Sequence, residues 1–206
     1  ILERNKILKN NIYDEDWIGR VEIEIVNLGM VIFQKRIKHI NILNSILSLL
    51  NQRGKKFYQI ELQIFNNYIP DFQPSYEEVR SLYLLELKKS RHIDSIIGGC
   101  KIGPHKTDIV GINHSNELNI NQFSTGQQKT IVLLIIVAQC KYLLETLKRK
   151  PIILFDEVCS HLDEDNRSLL LELIDSLSVQ IIMTGTEKDF FSFLSTKASY
   201  CNITMK

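Results

Sequence analysis

Two stretches of the chain carry residue types that do chemistry, at spacings that make it workable. In the first, Ile152-Ile153-Leu154-Phe155 runs directly into Asp156-Glu157. Four apolar residues suit a strand buried on both faces, and in open α/β sheets ligands collect beyond the carboxyl ends of strands. Adjacent carboxylates at such an exit can divide the work of phosphoryl transfer. One holds Mg2+, directly or through water, and the next orients and deprotonates an attacking water. Read alone, the pair is more simply the solvated exit of a strand before a helix start. In the second stretch, Ser124-Thr125-Gly126-Gln127-Gln128-Lys129 opens a helix with hydroxyls and a Gly where backbone must approach a ligand closely. Free N–H groups and the positive end of the helix dipole make that turn an anion site suited to a terminal phosphate. Read alone, it is more simply a helix capped by Ser124 or Thr125, with Gly126 easing the turn.

These residues need elements to position them. Apolar residues recur at Trp17, Val21, Ile25, Leu28 and Ile32, then at Ile40, Leu43, Leu47 and Leu50, which predicts one long amphipathic helix over residues 14–52, bent near Gly29. Tyr58, Ile60, Leu62 and Ile64 alternate with polar residues as a half-buried strand does. Ser75 and Glu78 offer a capping box for a helix over residues 75–97, ended by Gly98-Gly99. Beyond Gly103-Pro104 the pattern predicts strands at 109–112, 118–120, 151–155, 179–183 and 200–204, and helices at 127–147, 164–177 and 187–194. Strands alternating with helices imply an α/β body with a parallel or mixed sheet covered by flanking helices. The expected division is a helical arm over 1–97 and an α/β body over 98–206.

Composition narrows the function classes. A chain of 206 residues, 44% hydrophobic and 24% charged, is long enough for one sizeable core and an accessory element. Its 25 Lys and Arg against 24 Asp and Glu leave a net charge of +1, so any nucleic-acid or membrane surface has to be local. The longest apolar run, residues 131–138, falls far short of the roughly 20 residues of a membrane span. Cys100, Cys140, Cys159 and Cys201 lack paired zinc-site spacing and read as reduced, mostly buried cytosolic thiols. No charged leader precedes the helical pattern at Ile1, and the chain looks like the later part of something longer.

Order along the chain is more specific than either stretch alone. A Ser-x-Gly-Gln helix start, a helix of about 20 residues, an apolar strand ending Asp-Glu, and then Ser160-His161-Leu162-Asp163 follow the order used by ATP-binding-cassette ATPases. Residues 124–127 resemble the signature motif, 152–157 the Walker B strand and 160–163 the D-loop. Ile102-Gly103-Pro104-His105-Lys106-Thr107-Asp108 and Phe155-Asp156-Glu157-Val158, with Leu2-Glu3-Arg4-Asn5 and Trp17 at the arm start, resemble the RecF family of DNA replication and repair proteins.

That resemblance implies an ABC-type head with a helical arm, which dimerises around two ATP molecules and binds DNA. Carried over by position, Asp156 acts on Mg2+ and Glu157 polarises the hydrolytic water. Ser124, Thr125, Gly126 and Gln127 meet the γ-phosphate held by the opposite subunit, and Asp163 lies at the dimer seam. The implied partners are single-stranded and gapped duplex DNA, a second subunit joined through ATP, and recombination mediators that help load recombinase. The implied location is cytoplasmic.

Three departures qualify the match. Thr125 stands where the usual signature has Gly, a change a hydroxyl N-cap tolerates. Thr184-Gly185-Thr186 follows the 179–183 strand where transporter-type cassettes place a switch His, and a Thr hydroxyl hydrogen-bonds phosphate or water without carrying charge. No Gly-x-x-x-x-Gly-Lys-Ser/Thr cradle occurs in the sequence, so the chain is expected to correspond to the C-terminal portion of such a protein, arm plus second half of the head. The competing reading is a non-catalytic fragment or binding module. His105 in Gly-Pro-His reads as part of a turn before a strand. The basic groups Lys35, Arg36, Lys38, Arg53, Lys55, Lys56 and Lys148, Arg149, Lys150 read first as solvated helix ends and second as DNA-phosphate contacts.

Overall fold

Ile18, Glu22, Val26 and Met30 follow one another at helical four-residue steps and wind a buried stripe along a 39-residue helix. The computed structural model describes residues 1–10, 14–53, 59–66, 75–115, 117–162 and 164–203. Its elements are α1 (Leu2–Lys9), α2 (Glu15–Arg53), β1 (Ile60–Phe65), α3 (Tyr76–Ile97), β2 (Asp108–Asn113), β3 (Leu118–Asn119), α4 (Thr125–Lys141), β4 (Ile152–Phe155), α5 (Glu164–Asp175) and β5 (Gln180–Met183). They cluster into two compact units, residues 1–41 with 62–111 and residues 42–61 with 112–206. The two units interleave along the chain.

In the first unit α1 packs along α3, and α2 meets α3 through Val26, Met30, Val79, Tyr83, Leu87 and Cys100. Ile7, Leu8 and Ile18 form a second small cluster. Helix α3 starts as its sequence predicts: Glu78 N–H donates to Ser75 Oγ at 3.3 Å and Ser75 N–H donates to the Glu78 carboxylate at 2.7 Å. Gly29, the expected bend point, has a different use. A Cβ there would lie 2.6 Å from Cε1 of Tyr83, so the glycine lets α3 approach α2 closely.

Charges, not only hydrocarbon, close this unit. Arg4 is fully buried and donates to Glu22 (3.0 Å), Asp94 (2.7 Å), the Leu87 carbonyl (2.7 Å) and Ser90 Oγ (3.3 Å). Arg91 adds two bonds to Glu22 and one to the exposed Glu15, and these carboxylates raise its already high pKa further. The signal for this network is in the sequence. Glu22 and Asp94 fall on the apolar stripes 18-22-26-30 and 83-87-90-94, where a carboxylate is tolerated only if paired.

In the second unit α4 is apolar on nearly every side, and Thr130, Ile131, Leu133, Leu134, Val137, Ala138 and Cys140 are buried. It packs on α5, which contributes Leu170 and Leu173 to the core, and Thr130 Oγ1 bonds Asn166 at 2.8 Å between the two helices. Helix α4 passes into a π turn, Tyr142–Thr146, and ends where Lys148 takes a left-handed φ of 54° and Arg149 N–H reaches the Leu143 carbonyl at 2.9 Å. The basic run 148–150 therefore includes the residue that terminates the helix.

Several expectations need correction. Parallel and antiparallel pairing do not share one mixed sheet among the described residues. One sheet has the order β1-β2-β3, with β2 and β3 antiparallel, and β4 and β5 form a separate parallel pair. Strand β4 is buried on one face only: Ile153 and Phe155 are inside, while Ile152 and Leu154 are 61% and 72% exposed. The helix expected at 187–194 is a run of 3-10 turns over Lys188–Lys197. The strand expected at 200–204 is irregular through residue 203, because Tyr200 bonds the Phe191 carbonyl at 3.1 Å and lies under the Lys188 ammonium, anchoring the chain to those turns. Tyr58, at the start of the expected first strand, and Thr204 lie outside the described residues.

Candidate functional site

The parallel register Ile152↔Gln180 through Phe155↔Met183 brings the carboxyl ends of β4 and β5 side by side. Asp156 and Glu157 leave β4 at the same edge at which Thr184 and Gly185 leave β5, and all four are exposed. Thr184 N–H extends the ladder by one bond, to the Phe155 carbonyl at 2.9 Å. Its hydroxyl then joins both acidic residues, donating to Asp156 Oδ1 and accepting from Glu157 N–H at 3.2 Å. Glu157 takes φ 47° and ψ 29°, a left-handed conformation that costs a non-glycine residue about 1–2 kcal/mol, and turns the chain abruptly into the 3-10 turn Val158–His161. Gly185 permits the companion turn after β5, since a Cβ there would stand 2.7 Å from the Phe191 ring.

The donor set suits a hard cation. A carboxylate and a hydroxyl at an exposed strand exit offer oxygen ligands, and Mg2+ commonly takes one or two carboxylates, keeps several waters and shares substrate phosphates. No cluster of three or more His, Cys, Asp or Glu able to enclose a metal occurs among the described residues. Asp156 would hold such an ion. Glu157, one residue on, has a carboxylate that could orient a water.

The second predicted stretch forms the start of α4. Ser124 is the N-cap: Gln127 N–H donates to Ser124 Oγ at 3.3 Å, and Ser124 N–H donates to Gln127 Oε1 at 3.0 Å. The simple capping reading is thus realised in full, and it does not compete with anion binding. A serine hydroxyl that accepts the capping bond still has its own proton to donate, and the Gln127 amide still has its NH2. Ser124 and Thr125 are exposed, and nothing lies within 4 Å of a Cβ built on Gly126, so the turn is open to a ligand. Gln128, not singled out from sequence, donates from Nε2 to the Asn121 and Phe123 carbonyls and ties the preceding loop to the helix. The acidic group and the α4 start sit on different elements, each fixed by bonds of its own. Asp163 lies outside the described residues.

The remaining motif residues have structural duties. His105 Nε2 bonds the Cys100 carbonyl at 2.7 Å within the turn Pro104–Lys106, as the turn reading predicts. Arg36 donates to the Pro104 carbonyl and to Thr107 Oγ1 (2.6 Å), so one member of the first basic group is committed to holding that turn. Lys55 and Lys56 lie outside the described residues. Among the described residues no helix is long and apolar enough to cross a membrane.

A family model described as the RecF/RecN/SMC N terminal domain matches residues 40–205. The chain is 28% identical over 200 residues to the DNA replication and repair protein RecF of Rhizobium johnstonii, covering 97% of this chain and 53% of that one. It is 31% identical over 186 residues to RecF of Rickettsia bellii, covering 90% and 51%. Solved structures of the recombination mediator protein RecF with ATPrS and with ATP, in the RecFOR pathway, superpose with TM-score 0.68 at 22% identity, covering 91% of this chain and 50% of theirs. At that identity they establish the fold. The chain spans about half the length of the curated relatives it matches. The model matched is an N-terminal domain by description, which overturns the expectation that the chain is a C-terminal portion. Since the match takes in well over half of the sequence, the chain belongs to the RecF/RecN/SMC N terminal domain family.

Proposed function

We propose that this chain serves an ATP-dependent DNA-binding protein of DNA replication and recombinational repair, in which ATP draws two subunits together. The observation that carries the reading is the shared exit of β4 and β5, which gathers Asp156, Glu157 and Thr184 at one exposed edge. The names of the relatives, and the ATP and ATPrS complexes of the solved neighbours, support it.

In this reading Asp156 holds Mg2+ and Glu157 orients the attacking water, while the open start of α4, with Ser124, Thr125, Gly126 and Gln127, receives the γ-phosphate from the other subunit. Mg2+ would neutralise charge developing on the phosphate. Asp163 belongs to the seam between subunits. ATP stabilises the assembled state because its phosphates are satisfied only when both surfaces are present. Residues 1–97 serve as a helical arm and 98–206 as part of the ATPase head. The partners are gapped and single-stranded DNA and the mediators of recombinase loading, in the cytoplasm.

The test is Glu157→Gln, assayed with a complete partner subunit. Loss of the general base is expected to slow hydrolysis by about 10²–10⁴-fold while ATP-driven dimerisation persists. Wild-type turnover in that variant removes Glu157 from the role.

A further inference from the structure

We propose that Thr184 is a positioning residue for the acidic pair, holding Glu157 in its left-handed turn and orienting the Asp156 carboxylate. The inference rests on the reading of Asp156 and Glu157 given above. A threonine hydroxyl has one proton to donate and lone pairs to accept with. Here the proton goes to Asp156 Oδ1, and a lone pair receives the Glu157 N–H at 3.2 Å. The backbone of the same residue is pinned by its N–H bond to the Phe155 carbonyl, one step past the end of the β4–β5 ladder. The β-branched side chain has few χ1 states to sample, so a fixed backbone means a fixed hydroxyl.

Two consequences follow. First, the hydroxyl that stands where a cassette switch group is expected faces the chain's own carboxylate, and while it does so its only proton is unavailable to a phosphate. Thr184 thus acts through Asp156 and Glu157. Second, the left-handed φ of 47° at Glu157 acquires a compensating partner. Without the hydroxyl, the Glu157 N–H loses its acceptor on β5, and the residue is released toward ordinary backbone angles, taking its carboxylate with it.

The experiment compares Thr184→Val, which keeps the shape and removes the hydroxyl, with Thr184→Ser, which keeps the hydroxyl. Hydrogen exchange of the Glu157 amide is followed by NMR on the 206-residue chain. ATP turnover with Mg2+ is measured in the assembly used for Glu157→Gln. In Thr184→Val, Glu157 amide exchange is expected to accelerate about tenfold and kcat to fall about tenfold, with KM for ATP within about twofold, the loss of one hydrogen bond at the site. Thr184→Ser should retain both. Unchanged exchange in Thr184→Val, or a Ser variant as impaired as the Val variant, overturns the inference. If the wild type shows no turnover, the ATPase reading fails, and the exchange comparison still decides whether Thr184 positions Glu157. Thr184 is exposed, so neither substitution disturbs the core, and circular dichroism of each variant verifies its fold.

Discussion

Replacing Arg4 with Met removes a cation that is fully buried between α1, α2 and α3 and that makes four hydrogen bonds. The cost follows from what each partner keeps. Glu22 retains both bonds from Arg91, at 3.0 and 2.7 Å. The Ser90 hydroxyl has one proton, which serves Asp94 at 2.7 Å in preference to the Leu87 carbonyl at 3.0 Å. Asp94 retains Ser90 Oγ at 2.7 Å and the Lys101 N–H at 3.3 Å, but loses its only cation among the bonds described. Breaking a buried pair by removing one partner typically costs about 3–5 kcal/mol, and because Asp94 keeps two donors the lower end applies, about 3 kcal/mol. Trp17, the chain's single tryptophan, lies on α2 in the same unit and reports its unfolding in urea by fluorescence. Adding Asp94→Asn to Arg4→Met removes the uncompensated charge and should recover about half of the loss, a coupling read directly from the double-mutant cycle. A loss below about 1 kcal/mol, the value of an exposed pair, or no recovery in the double variant, would refute the argument that a charge network closes this unit.

Gly29→Ala gains about 1 kcal/mol of helix propensity but drives a methyl to 2.6 Å from the Tyr83 ring, an overpacking worth about 1–3 kcal/mol, so urea midpoints should show net destabilisation of about 1 kcal/mol. Ser124→Gly lowers α4 capping by only a few tenths of a kcal/mol yet removes the hydroxyl, so ATP-driven dimerisation should weaken with little change in thermal stability; full dimerisation would take Ser124 out of the phosphate site. Hydrogen bonding by Ser75, through its side chain and then its backbone, lowers the Glu78 carboxyl from its usual value. Its stabilisation is therefore complete above the ordinary carboxylate range and lost as pH falls through the lowered value, and Glu78→Gln should erase that slope in stability measured against pH. Burial raises the thiols of Cys100, Cys140 and Cys159, whereas Cys201 is exposed. Native alkylation at neutral pH should modify Cys201 first, and equal rates at all four would contradict the burial.

The long helix was legible because its apolar residues return at helical steps for ten turns, and α3 because Ser75 and Glu78 announce its start three residues apart. Both are local facts, written in spacing. The strand, the acidic pair at its exit and the hydroxyl-Gly helix start were legible for the same reason, as short motifs in a fixed order. The 3-10 turns at 188–197 were not, since Phe190, Phe191 and Leu194 carry an apolar pattern that suits either helix type. What decided between them was the closeness of the Phe191 ring to Gly185 and the anchoring bond from Tyr200, contacts invisible to periodicity.

By itself, then, the sequence determined the long helices and the strand before the acidic pair, where α3 is capped, and which side chains stand at the exit of β4 and the start of α4. The tertiary structure alone decided three other things: that β4 pairs in parallel with β5, that Thr184 consequently bridges Asp156 and Glu157, and that Arg4 is sealed among carboxylates from α2 and α3. The physical reason is range. Capping and periodicity act between residues a few positions apart, whereas these three arrangements join groups 27 and 28, or 18 and 90, positions apart, and such pairs exist only once packing has brought distant segments together.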